Sequence, residues 1–128
     1  MQRIEVAVGV ILRDEKVFIS RRADHLHQGG KWEFPGGKRE ADETFEQALC
    51  RELREEVGID VETQRPLMQI RHDYPDKQVT LDVRTVTAFR GEPRQQEGQE
   101  ALWVSVSDLH RYTFPKANLA IVNALQQR

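Results

Sequence analysis

The chain has 128 residues, a formal net charge of −2 at pH 7, a pI near 6.1 and one cysteine. That balance excludes a broad basic footprint for nucleic acid, the lone Cys50 excludes an internal disulfide, and no apolar run approaches the ~20 residues of a membrane span. The expectation is one soluble, cytoplasmic domain over residues 1–128, large enough to bury a core without disulfides or structural metals.

At the N-terminus Ile4, Val6, Val8 and Val10 alternate with Glu5, Ala7, Gly9 and Ile11, the period of a strand and not of a signal peptide. Because both sets are largely apolar or small, the strand is expected to be central. Arg13-Asp14-Glu15-Lys16 breaks the pattern and Val17-Phe18-Ile19-Ser20 resumes it, which predicts a hairpin ending at Arg21 and Arg22. Ala23 to Lys31, with Gly29-Gly30, reads as a loop, and His25 and His27 on it have no regular frame behind them, so they are not assigned as metal ligands. Trp32-Glu33-Phe34 predicts a short strand, and Pro35-Gly36-Gly37-Lys38 a turn able to bring backbone N–H groups close to a phosphate or metal.

The next stretch organises the rest. Thr44 with Gln47 has the form of a capping box, and Phe45, Ala48, Leu49, Leu53 and Val57 recur at helical spacing until Gly58 stops the run. At roughly 100° per residue, Glu52, Glu55 and Glu56 fall beside the apolar stripe, where they would line the edge of a cleft. Glu52 and Glu56 are a like-charge i,i+4 pair, which costs a few tenths of a kcal/mol in an isolated helix. Arg51 reaches Glu55 at i,i+4 but cannot neutralise three carboxylates, and hard oxygen ligands converging on one spot suit Mg²⁺ or Mn²⁺, ions that in turn favour phosphates. Cys50, inside this helix, reads as a small packed hydrophobe and not as a nucleophile.

Two strands are predicted at Leu67 to Tyr74 and Val79 to Phe89, joined at Pro75-Asp76-Lys77 and closed by Gly91-Glu92-Pro93. Arg94 to Glu100 is a polar loop that holds two further acids, Glu97 and Glu100, before a strand at Ala101 to Val104. Pro115 then precedes Ala117, Ala120, Ile121, Ala124 and Leu125 at helical spacing. Strands interrupted by one helix and closed by another give an α/β or α+β fold with a mixed sheet covered by helices.

Gly37, Glu43, Arg51-Glu52-Leu53, Glu55-Glu56 and Gly58-Ile59 fill every fixed position of the Nudix box without a gap. Beyond the box, AVGVI at Ala7 to Ile11, WEFPGGK at Trp32 to Lys38, EGQ at Glu97 to Gln99 and PKAN at Pro115 to Asn118 resemble the bacterial MutT type, hydrolases of oxidised guanine nucleoside triphosphates. The resemblance implies an α/β/α sandwich. It also implies that Glu52, Glu55 and Glu56, with the carbonyl of Gly36 or Gly37, hold Mg²⁺, with Mn²⁺ as a substitute. Glu97 would add a ligand or the general base, and Arg51 would orient the glutamates. By the same resemblance Arg22 lies near the phosphates, Phe34 near the base and Asn118 on the guanine edge, with Lys38 a weaker phosphate contact. One departure is that Leu81-Asp82-Val83-Arg84 carries charges where MutT-like members are richer in aromatics, which bears on the base pocket and not on the reaction.

The implied activity is removal of 8-oxo-dGTP from the nucleotide pool, with a small-molecule nucleotide as partner and neither duplex nucleic acid nor membrane. The alternatives are another Nudix substrate, such as ADP-ribose, a dinucleoside polyphosphate or a pyrimidine triphosphate, or a non-catalytic module that senses a nucleotide. Such modules usually lose box glutamates, and Glu52, Glu55 and Glu56 are all retained.

Overall fold

The computed structural model describes residues 1–26, 29–96 and 99–127. The predicted hairpin forms from β1 (Gln2–Arg13) and β2 (Lys16–Arg21), turned by Asp14 and Glu15 at φ 52° and 63°. Two successive left-handed residues match the right-handed twist of the flanking strands, which is why a two-residue connection closes there. β3 (Trp32–Glu33) pairs with β2, β4 (Gly36–Lys38) with β1, and helix α1 (Phe45–Val57) follows. β5 (Asp60–Tyr74) and β6 (Lys77–Arg90) make a long antiparallel hairpin, β7 (Ala101–Ser105) pairs with β2, and α2 (Leu119–Gln126) comes last. The sheet is mixed, since β1 runs parallel to β6 from Gln2↔Lys77 to Ile11↔Val86 and antiparallel to β4.

β1 is the central strand, and its alternation divides the core. Ala7 and Ile11 face α1 in a cluster with Ala48, Leu49, Leu53, Val57 and Val86. Val8 and Val10 face the other way, toward α2, in a cluster with Phe34, Val83, Phe114, Ile121 and Leu125. Helices therefore cover both faces, and the α/β/α arrangement expected from the resemblance is the one found. Among the described residues no helix is long and apolar enough to cross a membrane.

Four expectations change. The run Pro35 to Lys38 is not simply a turn: Gly36–Lys38 is a strand against β1, with Gly36↔Val8 and Gly37↔Ala7. β5 begins at Asp60, well before Leu67, and runs through Pro66; as the edge strand it can lack one donor, and its register shifts on either side of Thr63 and between Pro66 and Met68. A 3-10 helix at Val106–Arg111 carries the buried Leu109, and another at Lys116–Asn118 precedes α2. Finally, Asp82 and Arg84 pair with Ala7 and Gly9, so both charges lie on the α1 face, opposite Phe34. There Asp82, 5% exposed, accepts from Arg84 Nε at 2.7 Å and from Gln69 Nε2 at 2.8 Å. The departure from the family pattern thus leaves the α2 face apolar.

Candidate active site

The site begins with how α1 is held. Thr44 Oγ1 accepts from the Gln47 N–H at 3.1 Å, and Gln47 Oε1 accepts from the Thr44 N–H at 2.9 Å, so the capping box closes at the N-terminus. Gly58, at φ 74°, ends the helix and its N–H donates to the Arg54 carbonyl at 3.2 Å. With Ala48, Leu49, Leu53 and Val57 buried, Glu52 and Glu56 are left half-buried along the side of the helix nearest β4, and Glu55 at the rim.

Arg51 ties that side to the loop before the helix. Its guanidinium donates to Glu43 through Nε at 2.7 Å and Nη2 at 2.8 Å, to Glu52 Oε1 at 2.9 Å and to the Lys38 carbonyl at 3.0 Å, with Glu55 at 3.5 Å. The fork on Glu43 holds that carboxyl at about 2, helped by the Glu40 N–H, and raises the Arg51 pKa further above its ordinary value. Helical spacing singled out Glu55 as the partner of Arg51; the closer partners are Glu43, from outside the helix, and Glu52.

Of the glycine pair of β4, Gly36 is sterically required, because a Cβ there meets the Ala7 backbone carbonyl, whereas one on Gly37 would displace the Glu52 carboxylate. The Gly36 N–H donates to Glu56 Oε2 at 3.2 Å. Burial, then the charge of Glu33, push the Glu56 carboxyl up to about 7; the Gly36 N–H and a Gln95 side-chain hydrogen bond oppose this, and the charge of Glu52 adds to it. Gln95 is brought there because Arg94 and Gln96 donate their N–H groups to the carbonyls of Val57 and Glu56 at 3.1 and 2.9 Å, laying that segment on the end of α1. Glu97 and Gly98, which follow, lie outside the described residues, as does His27.

Two residues beside Glu56 were not singled out by sequence reasoning: Glu33 and Gln95. A signal existed for Glu33, because alternation in Trp32-Glu33-Phe34 sends it to the face opposite Phe34. Arg22 lies on the same side and donates to Glu33 Oε2 at 2.9 Å. Phe34 is 4% exposed and stacked on Phe114 at 5.1 Å, on the α2 face. Asn118 is half-buried at the start of α2, and its side chain makes no capping hydrogen bond. Lys38 is exposed, pairs with Val6 and offers Arg51 its carbonyl; Glu100 is exposed beside Arg21 at 3.6 Å; His25 is exposed. The structure therefore gathers Arg51, Glu52, Glu56, Gly36, Gly37 and Arg22 on the α1 side and sets Phe34 across the sheet from them. A separate groove lined by Arg13, Asp14, Glu15, Glu62 and Ser105 lies at the β1–β2 turn, away from the glutamates.

The donor set fits a hard divalent cation. Glu52 and Glu56 present carboxylate oxygens beside the Gly36-Gly37 backbone, and Glu56 is raised first by burial and then by the charge of Glu33, a charge that a bound cation would offset. Among the described residues no three acidic, His or Cys side chains stand close enough to grip an ion as they are, since Glu52 is turned to Arg51 and Glu55 is at the rim.

Comparison with known proteins agrees with this architecture. The chain is 40% identical to the 8-oxo-dGTP diphosphatase of Escherichia coli K12 over 99% of both chains, and 34% identical to that organism's CTP pyrophosphohydrolase over 97% of this chain and 92% of the other. A MutT structure from work on Aliivibrio salmonicida and Vibrio cholerae superposes with a TM-score of 0.88 at 42% identity, covering 99% of this chain and 100% of the other. The NUDIX domain model matches residues 7–124, so with the box complete and its glutamates ranged along β4, the chain belongs to the Nudix hydrolase family.

Proposed function

We propose that this chain is a single-domain, cytoplasmic, Mg²⁺-dependent pyrophosphohydrolase that converts 8-oxo-dGTP to 8-oxo-dGMP and pyrophosphate, so sanitising the nucleotide pool. The observation that carries the chemistry is the convergence of Glu52 and Glu56 on the Gly36-Gly37 strand, with Glu56 held near 7 by burial and by Glu33. The substrate is supported by the relatives named 8-oxo-dGTP diphosphatase, among them the E. coli protein.

A bound divalent cation supplies neutralisation of phosphate charge and a lower pKa for water. Glu52, Glu55, Glu56 and Glu97, with the carbonyl of Gly36 or Gly37, are the groups of this chain that would hold it. One of these carboxylates takes the proton as water attacks the β-phosphorus; the bond from that phosphorus to the bridging oxygen breaks, and the oxygen leaves on the nucleoside monophosphate. Arg51 fixes Glu52 against Glu43, so the carboxylate is oriented before substrate arrives. By the resemblance Arg22 and, less directly, Lys38 would meet the phosphates, and Phe34, packed on Phe114, would lie behind the base.

Asn118 supplies the selectivity. Oxidation at C8 turns N7 from an acceptor into an N–H donor while O6 stays an acceptor, and one amide can meet both. Its side chain is not used to cap α2, which leaves it available for this. Ordinary dGTP presents two acceptors, so one pairing fails at a penalty of roughly 1–3 kcal/mol.

A second reading, the same hydrolysis on a pyrimidine triphosphate, is favoured by the similarity to the CTP pyrophosphohydrolase. A panel of nucleotides at equal concentration, with Mg²⁺ and pyrophosphate detection, separates the two. The highest kcat/KM is expected for 8-oxo-dGTP; CTP leading would establish the second reading, and binding without turnover would make the chain a sensing module.

A further inference from the structure

Two arginines hold Glu43, one by its side chain and one by its main chain. Arg51 takes the carboxylate through Nε and Nη2, and Arg39 Nη1 donates to the Glu43 carbonyl at 2.6 Å. That carbonyl stands one residue before the helix cap, and the N–H that would reach it in a longer helix, that of Gln47, is taken by Thr44 Oγ1. Arg39 supplies the donor from the end of β4. Its own N–H donates to the Glu5 carbonyl at 2.8 Å, its Nη2 to the Glu5 carboxylate, and its Nη1 also to the Glu40 carbonyl at 3.3 Å. Its Nε is buried without a hydrogen-bond partner among the described residues, an unfavourable state accepted so that both Nη arms reach Glu5 and Glu43.

What depends on this brace is Glu52. Glu43 lies outside α1, so its place relative to Arg51, eight residues on, is set by the loop and not by helical spacing. Arg51 in turn donates to Glu52 Oε1 at 2.9 Å and leaves Oε2 as the atom nearest the Gly37 position. A Glu43 main chain free to shift would loosen the fork on Arg51, and with it the direction of Glu52. We propose that Arg39, braced on Glu5, is a positioning residue of the metal site, fixing Glu43 so that Arg51 presents Glu52 to the cation. The role deepens the metal-dependent reading and rests on it. Neither Arg39 nor Glu5 stands at a fixed position of the Nudix box, so the family match does not assign it.

The test is titration of the nucleotide-free protein with Mn²⁺, the free ion followed by electron paramagnetic resonance, with thermal melts of the same metal-free samples. Arg39→Met is expected to weaken Mn²⁺ about fivefold, toward the lower end of what losing a group that orients a metal ligand costs. Thr44→Ala, which loosens the start of α1 but leaves Arg39 in place, is expected to lower the melting temperature and bind Mn²⁺ within about twofold of wild type. In a Glu43→Gln background, Arg39→Met should add less than about twofold, because its route to Glu52 is already cut. Should Arg39→Met fail to fold, Arg39→Lys carries the test: it keeps the charge but serves Glu5 or the Glu43 carbonyl one at a time, and a loss of about threefold is expected. Wild-type Mn²⁺ affinity in Arg39→Met or Arg39→Lys overturns the proposal. So does a full Arg39→Met loss in the Glu43→Gln background, or a Thr44→Ala protein as weak as Arg39→Met. Wild-type protein that binds no Mn²⁺ overturns it together with the metal-dependent reading, whereas wild-type binding that Arg39→Met leaves unchanged overturns the positioning role alone.

Discussion

On one side of the central sheet the strands carry Ala7, Asp82 and Arg84 beneath α1, whose flank holds Arg51, Glu52 and Glu56. On the other, the same strands carry Val8, Val10, Leu81 and Val83 against Phe34, Phe114, Ile121 and Leu125. The first side is rich in ion pairs and contains a carboxyl whose charge the fold disfavours; the second is apolar and closely packed. A strand with a period of two can serve both because neighbouring residues answer to different surroundings. Stability and chemistry are therefore separable to a large degree, and substitutions on the two faces should fail in different ways.

The largest effect is expected on the apolar face. Phe34→Ala removes the partner of Phe114 from a nearly closed place and should cost about 3–5 kcal/mol, read by urea unfolding. A loss below about 1 kcal/mol would mean that the ring belongs to an open pocket and not to the core.

Next comes Glu56→Gln, expected to lower kcat at least about a hundredfold without lowering stability. The carboxyl ordinarily titrates at 4.5 and is held up to about 7 in the fold. The folded state therefore keeps a proton that the unfolded state releases, and stability from this group is present below 4.5 and lost as pH rises toward 7. Metal-free Glu56→Gln should thus melt a few degrees above wild type at pH 8 and close to it at pH 4. For the same reason Mg²⁺ affinity of the wild type should fall as pH drops below about 7, by proton competition at Glu56. A Glu56→Gln protein with wild-type kcat would take this residue out of the site.

Asn118→Ala should narrow the kcat/KM preference for 8-oxo-dGTP over dGTP by about ten- to a hundredfold, with the melting temperature unchanged because the amide caps nothing. Retention of the preference would move recognition elsewhere. The smallest effect belongs to the helix cap: Thr44→Ala should cost about 1 kcal/mol of stability and leave nucleotide preference alone, since it breaks the capping box and touches no site group. A changed preference would show that the start of α1 is coupled to the base.

What the sequence determined by itself was local. Thr44 with Gln47, the apolar recurrence to Val57 and the stop at Gly58 specify α1 through contacts within a turn or two, and the same spacing puts Glu52, Glu55 and Glu56 along one side. β1 was legible as central because both its alternating sets are apolar or small, and the hairpin followed from the charged break at Arg13 to Lys16. Tertiary structure alone decided the rest. Arg51 prefers Glu43 over its helical neighbour because β4 and the loop after it bring that carboxylate within reach of both guanidinium edges. Gly36 and Gly37 form a strand because β1 offers an edge there, and the Ala7 carbonyl leaves no room for a Cβ on Gly36. Asp82 and Arg84 look out of place in a buried strand until pairing with Ala7 and Gly9 turns them toward each other and toward Gln69. Glu33 and Gln95 join the site from two separate segments, and no spacing in the chain announces them, because proximity between strands is set by register and packing, which are long-range.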